Sequence, residues 1–160
     1  MNFELVEEDN IKVNKHTYFY DYGDGSVEGM IQEIMETPQF PTLSELVIGD
    51  WGEAWDDGCQ PIIDGIVANA DKFSHINKLF IGNMDYEACE VSWIMQGNYE
   101  KLWAALPDLK ELTIKGSTEL GLGEIIHENL EALTIICGGL PTEIIEEIER
   151  ARLPKLKKLL

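Results

Sequence analysis

The chain is 160 residues long, 44% apolar, and carries a formal net charge of −18. One domain's worth of chain with that apolar content can bury a core, which excludes a disordered segment. It has no run of 18 apolar residues and hence no candidate membrane-spanning helix, and its acidity repels nucleic acid and anionic lipid while attracting a basic partner.

Residues 1–8 are acidic and lack the basic start and apolar run of a signal peptide. The three cysteines, Cys59, Cys89 and Cys137, show no CxxC spacing and read as free buried thiols in a reducing compartment. These features together place the protein in the cytoplasm. Residues 2–7 and 11–15 are expected to cap the structure that follows. Residues 16–22, rich in aromatic and β-branched side chains, predict a strand. Residues 26–36 predict its crossover helix, with Ser26 as N-cap. Between them, residues 21–26 have a faint calcium-loop look. The EF-hand pattern fails there at its third position and lacks a closing Glu, so the stretch reads as a strand-to-helix turn.

From residue 40 the chain repeats itself. Phe40, Leu43, Leu46 and Ile48 return as Phe73, Ile76, Leu79 and Ile81, then as Leu106, Leu109, Leu112 and Ile114, then as His127, Leu130, Leu133 and Ile135. Leu153, Leu156 and Leu159 begin a fifth copy. The leaders stand 33, 33, 21 and 26 residues apart. The shared L-x-x-L-x-I core is that of a leucine-rich repeat. Each core segment predicts a strand, and parallel neighbours need a crossover. Residues 61–70 supply one, with Pro61 at a helix start and Ile62, Ile63, Ile66, Val67 and Ala70 at helical spacing. Residues 99–106 supply a second and residues 142–151 a third, the latter with Ile144, Ile145 and Ile148 inward. The 21-residue step has no room for a helix and is expected to cross by an irregular or 3₁₀ segment. The expected fold is a single α/β leucine-rich-repeat solenoid over residues 1–160. Residues 1–39 form the cap and a degenerate first repeat, and residues 40–160 the repeats. One parallel sheet lines the concave face and crossover helices the convex face. Leu46, Ile48, Leu79, Ile81, Leu112, Ile114, Leu133 and Ile135 are all expected to be buried.

Leu46 to Glu53, Tyr86 to Ile94, His127 to Ile135 and Gly138 to Pro141 together resemble a family of bacterial cytoplasmic leucine-rich-repeat proteins. The resemblance covers roughly residues 16–160. It implies a fold and a compartment but no catalytic residues. Members of that family carry further repeats after the one corresponding to residues 153–160, so the resemblance implies a C-terminal repeat without its usual cover.

Alternation along each strand sets the candidate surface. One concave row reads Glu45, Lys78, Glu111, Ala132 and Lys158, a ladder of alternating charge. The adjacent row, Val47, Phe80, Thr113, Thr134 and Leu160, is moderately apolar and is a candidate seat for a partner through Val47, Phe80, Thr113 and Thr134. The two loops that leave the first two repeat strands are more unusual. They carry Trp51, Trp55, Tyr86 and Trp93 beside Asp50, Glu53, Asp56, Asp57, Asp85, Glu87 and Glu90. Aromatic anchors ringed by carboxylates are what a site for a basic protein would need. The competing reading tucks Trp51 and Trp93 under the loops as packing. The three histidines, His16, His75 and His127, match no metal-ligand spacing, and GxSxG, Walker and CxxC motifs are absent.

These features predict a non-enzymatic protein-protein interaction module without a cofactor. The alternative is an acidic inhibitor or immunity-type protein that neutralises a basic enzyme. The last eleven residues carry five bases and no acid, whereas the first 149 carry seven bases against 30 acids. Lysine on an edge strand discourages stacking, yet Leu156, Leu159 and Leu160 leave that edge apolar. The expectation is a homodimer through the C-terminal edge strand or a chain that has lost its later repeats.

Overall fold

A computed structural model describes residues 11–21 and 24–160. Its centre is a seven-stranded sheet whose spatial order follows the chain. The strands are β1 Lys12–Asn14, β2 Thr17–Phe19, β3 Glu45–Ile48, β4 Lys78–Ile81, β5 Glu111–Lys115, β6 Ala132–Ile136 and β7 Lys158–Leu159. From β2 onward every pair is parallel; β1 alone is antiparallel, a hairpin against β2. β1 supplies the second half of the expected cap, and residues 2–7 lie outside the described residues.

The repeated leucines set the register. Leu46, Leu79, Leu112 and Leu133 are mutual neighbours across the sheet, as are Ile48, Ile81, Ile114 and Ile135. A one-residue slip would turn both rows out to solvent, so the pattern leaves one pairing. All eight are buried except Ile135, which is half-buried because β7 beside it is only two residues long and exposed. A backbone ladder runs along the strand-start edge: Asn77 N–H to Ser44 O, Lys110 N–H to Asn77 O, Glu131 N–H to Lys110 O and Lys157 N–H to Glu131 O, each 2.7–2.8 Å.

The crossovers lie on one face. They are α1 Met30–Met35, α2 Gln60–Ala68, α3 Glu100–Ala105 and α4 Thr142–Glu149. α2 has its proline in the first turn and buries Ile62, Ile63 and Ile66. Gly65 lets α1 approach, since a Cβ there would stand 2.9 Å from Ile31 Cβ. The helix predicted from Ser26 begins instead as a 3₁₀ turn, Val27–Gly29, and the Ser26 side chain makes no capping bond. In α4 only Ile144 is buried; Ile145, expected inward, is 43% exposed because no described element packs against its side of the helix. The 21-residue step contains no helix and follows its neighbour through the parallel bridges Met95–Thr118 and Asn98–Gly121. Where residues 21–26 are expected to turn, Asp24 N–H bonds Asp21 O at 3.0 Å; Tyr22 and Gly23 lie outside the described residues. Among the described residues, no helix is long and apolar enough to cross a membrane.

Polar groups in this core are matched in place. His127 Nδ1 accepts the N–H groups of Asn129 and Leu130, which fixes the proton on Nε2, and Nε2–H reaches Leu106 O at 2.8 Å. His75 makes the equivalent bond to Phe40 O at 2.9 Å. Cys59 Sγ–H and Tyr99 O–H both donate to Gln96 Oε1, and Gln96 Nε2 donates to Lys115 O. Gln96 ties two repeats together in this way. Burial pushes the Cys59 thiol up to about 12, against the opposing pull of the Tyr99 hydrogen bond.

Candidate functional site

The two acidic aromatic loops leave the same, strand-exit edge of the sheet. Gly82 makes the second departure: its φ of +106° and a Cβ position 2.7 Å from Lys115 O exclude any side chain there. Glu53 O then accepts from Asp56 and Asp57 N–H at 2.9 and 2.7 Å, closing a turn in the first loop. In the second, Asp85 Oδ1 caps Ala88 N–H and Glu90 Oε1 caps Ser92 N–H. Ala54 O accepts from Met95 N–H at 2.8 Å, so the loops brace each other.

The four aromatics separate by role. Trp51 is 1% exposed, and its Nε1–H bonds Asp57 O at 2.8 Å. It is the internal post of its loop, and its expected place among contact residues is corrected. Trp55, Tyr86 and Trp93 are 41%, 75% and 65% exposed. The packing role weighed for Trp93 therefore does not apply. Glu53, Asp56, Asp57, Asp85, Glu87 and Glu90 are exposed around them, and none forms an ion pair among the described residues.

Asp50 differs from the other carboxylates. It is half-buried in a cleft of about 360 Å³, with Phe19, Asp21, Asn83, Met84 and Asp85 among its walls. Desolvation raises its pKa above the ordinary carboxylate value. The Gly52 N–H bond opposes that, while the Asp85 and Asp21 charges add to it. Asp21 is the member that sequence reasoning missed. Its place was readable only through the β2–β3 register, in which Tyr18 pairs with Ile48 and the β2 strand exit meets that of β3.

On the open face of the sheet the predicted rows form in the predicted register. Glu45, Lys78, Glu111, Ala132 and Lys158 are successive neighbours, and Lys78 Nζ stands 3.6 Å from Glu111 Oε2. Glu45 meets His16 at 3.8 Å. In the apolar row Val47 is only 4% exposed, between Thr17 and Phe80 in the sheet, so it is corrected from contact residue to core. Phe80, Thr113 and Thr134 remain half-buried. Lys115, two residues beyond Thr113 and on the same face by alternation, donates to Met84 O at 2.7 Å and holds the second loop down.

No family model matches the chain, and no curated protein matches it. Among solved structures, the crystal structure of a Bacteroides fragilis protein, a Northeast Structural Genomics Consortium target, superposes with a TM-score of 0.79 and 36% identity. The match takes in 99% of this chain and 45% of that one, so the chain spans a little under half of the length of the protein it resembles.

Proposed function

We propose that the chain is a leucine-rich-repeat solenoid acting as a non-enzymatic, cytoplasmic protein-binding module, whose strand-exit rim receives the partner. The observation that carries this reading is the exposure of Trp55, Tyr86 and Trp93 among carboxylates that form no ion pair among the described residues. Large rings held in solvent on braced loops cost hydration and return it on contact, and they are the side chains that dominate interface energetics. The solenoid reading is supported by the equivalence of the leucine and isoleucine positions across β3 to β6 at unequal sequence steps. The non-enzymatic reading is supported by the groups that ordinarily do chemistry: Cys59, Tyr99 and His127 are tied up inside the core. Free thiols at Cys59, Cys89 and Cys137 suit a reducing compartment.

The unpaired rim charge favours a second reading, an acidic inhibitor of a basic enzyme. One experiment separates the two. Affinity capture by the native chain and by a Tyr86→Ala/Trp93→Ala chain, each across a salt series, distinguishes ring contacts from charge. A module bound through its rings loses capture in the variant and keeps most of its native capture at high salt. An inhibitor held by charge keeps capture in the variant and loses it as the Debye length shrinks. Equal capture by both chains at all salt concentrations would move the site away from the rim.

A further inference from the structure

We draw no further inference here: the strongest candidate, the cleft of about 360 Å³ at the strand-exit edge lined by Asp21, Asp50 and Asp85, is a cluster of carboxylates that belongs to the rim already described, and nothing in the structure shows what it takes.

Discussion

His127 shows how much a single side chain carries here. Removing its ring in His127→Ala leaves the Asn129 and Leu130 N–H groups without their partner in a largely buried turn, while Leu106 O keeps only the Leu109 N–H. Each buried group left unmade costs about 1–3 kcal/mol, so a loss above ~2 kcal/mol in denaturant unfolding is expected. Asp50 acts in the opposite sense. Its folded pKa lies above the unfolded value, so between the two the folded state holds the extra proton and stability falls as pH rises through that window. Asp50→Asn should therefore raise the melting temperature at neutral pH, and the gain should vanish below pH ~4, where both forms are neutral. The cysteines divide by burial. Cys59, fully buried with its thiol pushed up to about 12, should resist maleimide until the protein unfolds, whereas the half-buried Cys137 should label readily in dilute native protein. Rapid native labelling of Cys59 would place a defect in the Gln96 network.

At the scale of the element, one sequence pattern has different worth at different places in the stack. Leu112 sits in β5 with strands on both sides and no exposure, so Leu112→Ala should cost about 2–5 kcal/mol through transfer and cavity terms. Ile135, the counterpart in β6 of Ile114, is only half-buried at the exposed β7 end of the sheet, so Ile135→Ala should cost clearly less in dilute protein. Equal losses at both positions would mean that the end is covered in solution. The loops follow a different rule. Trp51 holds the first loop from within, and Trp51→Ala should destabilise the fold by about 3–5 kcal/mol, as for other fully buried rings. Trp93→Ala should leave the melting temperature nearly unchanged, because most of that ring is in water.

For the whole molecule, the dominant fact is a net charge of −18 on a stack held by contacts between neighbours. Self-repulsion of that size destabilises the compact state and is screened by salt. The melting temperature of the dilute protein should rise between ~10 and ~150 mM salt, the range over which the Debye length falls from about 30 to 8 Å; a flat response would show that local pairing offsets the net charge. What the sequence determined by itself is the register and the order of the sheet. The leucines recur at a fixed offset from each turn, side chains alternate with a period of two, and a slipped strand would expose its whole apolar row, so local pattern and global pairing have one common solution. The crossovers of α2, α3 and α4 were legible for the same reason, through proline placement and helical spacing. What only the tertiary structure decided is burial wherever that periodicity stops. Trp51 and Trp93 both belong to loops rich in acids and aromatics, and which of them is covered depends on the segments lying above each. Val47 looks like a surface residue by alternation and is core by position. Ile145 and Leu159 look like core by spacing and are exposed, because burial of a repeated residue is completed by its neighbours rather than by the residue itself.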